Sequence, residues 1–367
     1  MTIYVYRSSD TNAPAGMTNV AGSLITVLDG LLINGYSLGT VSSITRSGST
    51  ATITFSSSHG LVTNSTYNKV LIAGSDQAEY NGTFRLTVTS STQATFTVSG
   101  TPVTPATGSI TCTKPGGGWT KSFSGTNKAV YRPASGSQLY MRIDDTGTIS
   151  ARFRGYETMS DVDTGTGLFP TDVQQSGGLY INKANSATPR EWFAIIDSDY
   201  IVLASRYDGN TYMLNFFGDY TSLYTGSNPY NCYIEGSTTS GGVPVSYAFT
   251  SAPTSAQSGF YAPRSYDGTG TSRSIGRWSN YVYNTTGHSS GTLTSYPDPC
   301  TGKLIWGDVY VGLGTHYGID KTCISYAHPV TSWNEWDTLS LDGSRSNEVY
   351  VFVTCYVSSY RGWFRIE

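Results

Sequence analysis

The sequence predicts a mainly β protein: antiparallel β-sandwich domains, one short N-terminal helix, and an inserted immunoglobulin-like β-sandwich. Three observations lead there. Charged residues are only 13% of the 367, against about 25% in an ordinary globular chain. Tyr (28) far outnumbers Trp (7), and 41 glycines and 14 prolines punctuate a Ser/Thr-rich sequence. Between residues 40 and 115 apolar and polar residues alternate with period two, the mark of strands with one face buried.

The N-terminal stretch holds the one credible helix, over 21–33. Leu24, Val27, Leu28 and Leu31 follow the i, i+3, i+4, i+7 spacing. Asn34-Gly35 supplies a stop. Everything beyond reads as strand and turn.

Residues 40–115 read as a module complete in itself. Ile53 and Phe55 share a face in "TATITF"; Phe84, Leu86 and Val88 do so in "TFRLTV". Ala94, Phe96 and Val98 repeat the pattern in "ATFTV", and Ile110 and Cys112 in "SITCT". Two such sheets face to face make a small sandwich. "YSLGT" opens the module and "KPGGG" ends it, and exposed Gly-rich turns are where guest domains are tolerated. The host is then 1–39 plus 116–235, joined to its guest through two flexible turns. "KAVYR", "QLYMRI", "ISARFRGYE", "GLYINK", "EWFAIID", "DYIVLASRY" and "TYMLNFFGDY" are its strand candidates. A Ser/Gly/Pro-rich stretch follows, and 236–367 forms a C-terminal β region.

Composition excludes several function classes. Net charge is −3 with pI near 5.8, so the clustered basic residues that a nucleic acid needs are missing. The start "MTIYVYRSSD" lacks the regions of a signal peptide, and the longest apolar stretches fall short of a membrane span. The expectation is a soluble chain with no membrane insertion. Five cysteines (Cys112, Cys232, Cys300, Cys323, Cys355) are scattered without a CxxC, which argues against a metal knuckle and for a reducing compartment.

Candidate chemistry is sparse. "GYSLG" around Ser37 matches the G-x-S-x-G elbow, but the motif works as a strand-to-helix turn, and here a helix precedes it. A Gly-rich turn is the favoured reading. His59, His288, His316 and His328 show no metal-binding spacing. "DVDTG" at 161–165 resembles half of a calcium loop, yet the twelfth position is Asp172 rather than glutamate; Asx turns are the simpler account. Glu335 and Asp337 form an acidic pair of the kind any chain with 25 acids offers. Aromatic clusters in "RWSNYVYN", "SWNEWD" and "YRGWFRIE" suit either sugar stacking, an oligomer contact, or plain core and rim positions. No catalytic, cofactor-binding or metal residue is assigned, no cofactor is expected, and the chain is read as not an enzyme.

The stretches "TIYVYRSSDTNAPAGMTNVAGSLITVLDGLLINGY", "GWTKSFSGTNKAVYRPASGSQLYMRIDD" and "RGYETMSDVDTGTGLFP" together resemble a family of tailed-bacteriophage virion proteins. The resemblance covers roughly 1–39 and 116–220, and is weaker at "APRSYDGTGTSRSIG" and "HPVTSWNEWDTLS". In such relatives "NGY" runs almost directly into "GWTK". Residues 40–115 depart from that pattern and look like the immunoglobulin-like modules inserted in phage structural proteins ("HGL", "YNGTF", "TFTV"). The resemblance implies a non-enzymatic structural component of the virion, tail- or connector-associated, assembled in the bacterial cytoplasm in several copies. Its partners are then copies of itself and other virion proteins, with a host-surface glycan as a further candidate. A receptor- or glycan-binding tail component, or a capsid decoration protein, remain open as alternatives.

Overall fold

A computed structural model describes residues 2–62, 68–208, 211–241, 258–278, 306–313, 315–326, 338–340, 348–354 and 361–366. Strands make up 48% and helix 6%, so the fold is mainly β, with several antiparallel sheets.

The central sheet runs in the order Tyr4–Arg7, Trp192–Ile196, Tyr200–Asp208, Thr211–Asp219, Cys232–Glu235, Phe260–Ala262, Arg273–Ser274. Both its faces are covered, which explains the unbroken apolar runs in these strands. Trp192, Ala194, Ile196, Ile201 and Leu203 point into a core shared with the helix and a five-stranded sheet. Their neighbours Phe193, Ile195, Val202 and Ala204 point the other way, against Val309, Val311, Tyr317 and Phe364. The five-stranded sheet has the order Leu179–Asn182, Ser150–Tyr156, Tyr140–Asp144, Lys128–Arg132, Thr120–Gly125. The third layer is Gly276–Trp278, Trp306–Leu313, Thr315–Tyr326, Arg361–Arg365, Val349–Thr354 and Thr338–Ser340, with Thr221–Ser222 also paired to Thr315–Tyr326. Chain beyond residue 236 thus completes the central sheet as well as the third layer.

The helix is shorter than its periodicity predicts. Ser23–Leu28 is α-helical, and Asp29–Asn34 continues as a wider π-turn closed by Gly35 (φ 66°). The Gly35 amide donates to Gly30 O at 2.8 Å, a five-residue step. Freed from the helical ladder, Leu31 O and Leu32 O accept from the amides of Gly117 (2.9 Å) and Trp119 (3.2 Å) on the returning chain. At the other end Asp145 caps the helix. Its Oδ2 accepts from the amides of Leu24 (2.8 Å) and Ile25 (3.4 Å), while Oδ1 pairs with the fully buried Lys183 at 2.5 Å.

Residues 36–114 form one seven-stranded sheet curled around its own core: Tyr36–Ser37, Gly108–Lys114, Asn68–Ser75, Gly82–Val88, Gln93–Thr97, Thr50–Phe55, Val41–Ser47. Ile53, Phe55, Leu86, Val88, Ala94, Phe96, Val98 and Cys112 are buried there. Phe84, expected in the core with Leu86, is only half-buried and rests on Phe96 with ring centroids 4.6 Å apart. It lies near the start of its strand. Leu86→Asp is therefore the decisive lesion. A buried unpaired carboxylate plus a lost aliphatic side chain costs at least several kcal/mol, comparable with the stability of a module of this size. Limited proteolysis should open residues 40–115 and leave the central sheet resistant. Phe84→Asp, measured in parallel by thermal melts, should cost clearly less.

The neck is no pair of loose turns. Tyr36 pairs with Lys114 and Ser37 with Thr113 in an antiparallel step. Gly35 lies so close to the returning chain that a Cβ there would stand 2.3 Å from Lys114 O. Lys114, buried, donates to Val5 O (3.0 Å); the Tyr6 hydroxyl donates to Pro115 O (2.7 Å), and the Tyr36 hydroxyl to Asp10 Oδ2 (2.7 Å). Beside the neck, the Thr11 amide donates to His59 O (3.1 Å) and its hydroxyl to Ser58 O (2.7 Å). Val62 packs against the core between the central sheet and the third layer. Buried polar groups held this fully fix the module on its host.

Candidate functional site

The residues singled out in the sequence do not converge. Ser37 lies in the neck strand, its Oγ accepting from the Gly39 amide at 3.2 Å. His59 is a buried brace: Nε2 meets Ser90 O at 3.0 Å and Nδ1 accepts from the Leu61 amide at 3.0 Å. Burial lowers its pKa. Asp161 accepts from the amides of Asp163 (2.7 Å) and Thr164 (2.8 Å), an Asx turn that pulls its carboxyl below the usual range. Asp163 is spoken for by Lys128 (2.9 Å) and Arg142 (2.5 Å), and Asp172 by Arg154 (2.7 Å). The half calcium loop is thus an ion-paired hairpin.

His316 is exposed beside Tyr310, ring centroids 4.8 Å apart. Cys112, Cys232 and Cys323 are buried thiols, and burial pushes Cys112 up to about 12. His288, His328, Glu335, Asp337, Cys300 and Cys355 lie outside the described residues. Of the aromatic clusters, Phe364 is buried in the core between the central and third layers. Among the described residues no group of three or more His, Cys, Asp or Glu side chains is placed to hold a metal, and no helix is long and apolar enough to cross a membrane.

The surface feature that stands out is elsewhere. Two turns, at 221–231 and 264–270, meet and hold large side chains in the open. Leu223 is 46% exposed, Tyr224 38% and Tyr266 36%. The Tyr224 and Tyr266 rings are edge to face, centroids 5.8 Å apart at 81°, and Tyr266 leans on Tyr317 at 6.2 Å. The turns are stiff. Asn228 Nδ2 donates to Tyr266 O (2.9 Å) and Asn228 Oδ1 accepts from the Tyr230 amide (2.9 Å). Asp267 Oδ1 accepts from both the amide (3.0 Å) and hydroxyl (2.7 Å) of Thr269. Arg264 lies 4.0 Å above the Tyr230 ring and forks onto Glu157, both contacts 2.7 Å. Those hydrogen bonds raise the guanidinium's pKa further, the bidentate geometry that favours Arg over Lys.

A second stiff loop presents Val173, 98% exposed. Its base is tied by Gln174 Nε2 to Ser272 O (2.9 Å) and by Gln175 Nε2 to Thr238 O (3.0 Å). Chemically this surface offers ring faces, hydroxyls and aliphatic carbon on a pre-ordered frame. That suits burial against another surface, since Tyr gives large contact area at small entropic cost. Sequence reasoning missed Tyr224 and Tyr266; the signal was an aromatic beside turn residues in "LYTGSNPY" and "SYDGTG".

A scan of protein families finds no match to this chain, and a search of curated proteins finds no relative.

Proposed function

We propose that the chain is a non-enzymatic structural component of a tailed-bacteriophage virion, associated with the tail or connector, which assembles in several copies through its turn-borne tyrosine surface. The observation that carries this reading is the Leu223, Tyr224 and Tyr266 patch, held exposed by hydrogen-bonded turns rather than by mobile loops. The mainly β architecture and the virion-family resemblance of residues 1–39 and 116–220 support it. Aromatic anchors of this kind dominate interface energies.

The test is direct. Gold-labelled antibody against the chain should decorate purified particles at symmetry-related positions; a chain absent from mature virions overturns the reading. Tyr224→Ser combined with Tyr266→Ser should leave the melting temperature of the isolated chain nearly unchanged. Incorporation into particles should fall at least about tenfold, since each such anchor contributes on the order of 1–2 kcal/mol. Undiminished incorporation together with lost adsorption to host cells would instead favour a receptor- or glycan-binding tail role for the same rings.

A further inference from the structure

Three carboxylates gather where the central sheet turns toward the third layer. Asp197 and Asp199 occupy the hairpin between Trp192–Ile196 and Tyr200–Asp208, and Asp219 ends Thr211–Asp219. Each is 2% exposed. Asp199 has a counter-ion, Lys321 Nζ at 2.6 Å. Asp219 has neutral partners instead. Its Oδ2 accepts from the Ser137 amide (2.7 Å) and lies 3.5 Å from Asn231 Nδ2, and its Oδ1 meets Ser137 Oγ at 2.5 Å. Asp197 Oδ1 accepts from the Ser198 amide (2.7 Å), while Asp197 Oδ2 and Asp199 Oδ1 are buried without a hydrogen bond. The loop carrying Ser137 is pressed onto this cluster: a Cβ on Gly136 would stand 2.2 Å from Asp219 Oδ2. A buried carboxylate beside another, with no ion pair of its own, is a costly arrangement that one proton resolves.

We infer that Asp219 is a proton-binding site, neutral in mildly acid solution, where its Oδ1–H donates to Ser137 Oγ and locks loop 134–138 onto the central sheet. The short Oδ1 to Oγ contact serves either direction of donation, so the proton arrives without any atom moving far. The groups facing Asp219 come from four elements. The hairpin brings Asp199; the third layer brings Lys321; the adjacent strand brings Cys232; and Tyr220 follows on its own chain. Lys69 of the inserted module acts on Asp197 from outside. Burial is the largest influence on Asp219 and raises its pKa to about 6; the hydrogen bonds of Ser137 and the charge of Lys321 oppose it, and Asp199 adds to it.

The sign follows from linkage. The folded carboxyl holds its proton more tightly than the unfolded chain, so its contribution to stability is fully present below about pH 4, the unfolded carboxyl's range, and is lost as pH rises from there through about 6. From this group alone the folded-to-unfolded ratio should be about tenfold higher at pH 5 than at pH 7. Thermal melts of the full chain at pH 5, 6, 7 and 8, compared with Asp219→Asn, test it. The amide is neutral throughout, so the variant should lack this component, and the wild type should lose stability relative to it as pH rises from 5 to 7. Parallel pH profiles overturn the inference. So does calcium chloride or potassium chloride that raises the wild-type melting temperature at pH 7 and leaves the variant unchanged, because a cation would then fill the proton's place. Should the variant fail to fold, carbon-13 NMR of aspartate-labelled wild type decides: a buried carboxyl titrating near pH 6 is expected, and none doing so overturns the assignment.

Discussion

Arg277→Met is expected to detach the third layer from the central sheet at neutral pH. Arg277 is buried between the two. Its Nη2 reaches Glu235 Oε2 at 2.9 Å and its Nη1 reaches Asp320 Oδ2 at 3.3 Å. Asp320 also accepts from the Tyr233 hydroxyl (2.8 Å) and from the Thr322 amide (2.8 Å) and hydroxyl (2.6 Å). Burial works against the guanidinium's charge, but Glu235 and its other neighbours outweigh it and the pKa ends well above the usual value. Methionine fills the volume and removes the cation, leaving two buried carboxylates to repel each other. Breaking one buried pair costs about 3–5 kcal/mol, and here two are broken, against a total stability of about 5–15 kcal/mol. Urea unfolding followed by tryptophan fluorescence measures the loss. A variant within about 1 kcal/mol of wild type, where harmless surface changes fall, would show that the network is not what joins the layers.

The second large loss is expected from Asp145→Ala. The Lys183 ammonium, buried completely, would keep only Val20 O at 2.9 Å, and the amides of Leu24 and Ile25 would lose their acceptor. An orphaned buried charge costs about 3–5 kcal/mol, and the lost cap adds about 1 kcal/mol. The double variant Asp145→Ala with Lys183→Met should recover much of this, because the stranded charge goes too. Lys121→Ala is the control. Its partner Asp29 is 2.8 Å away, yet both side chains keep over a quarter of their surface in water, so less than about 1 kcal/mol is expected. Equal losses for Lys121→Ala and Asp145→Ala in denaturant titrations would refute the burial argument.

Much of the architecture could be read from residue order where one face of a strand meets water. Ile53, Phe55, Ala94, Phe96 and Val98 alternate with exposed or half-exposed polar residues because their sheet has one wet side. The central sheet has none. In Trp192–Ile196 every residue is buried, period two vanishes, and with it the cue that two cores lie on opposite sides of one strand. The helix announced itself through Leu24, Val27, Leu28 and Leu31. Its π-turn did not, because the partners of Leu31 O and Leu32 O are Gly117 and Trp119, beyond the whole inserted module. The candidate surface was hidden for a similar reason. Tyr224 and Tyr266 become neighbours only through turns far apart in the chain, and local propensity says nothing about which turns meet. Asp219 is the extreme case, with neighbours drawn from Gly136 and Ser137, Asp199, Asn231 and Lys321.

The neck at Tyr36 and Lys114 has a mechanical consequence. A domain hung from a chain end is carried by one covalent crossing and can swivel about it. Here two antiparallel crossings sit side by side, bridged by backbone pairing and braced by Lys114 on Val5 and Tyr36 on Asp10. Tension applied at the far tip of the module divides between the two crossings, and torque meets a ribbon rather than a single bond. The ribbon leads straight into Gly117, Trp119 and the π-turn. A pull on the module is therefore delivered to the innermost core of its host, and the module works as a lever with its fulcrum at the helix.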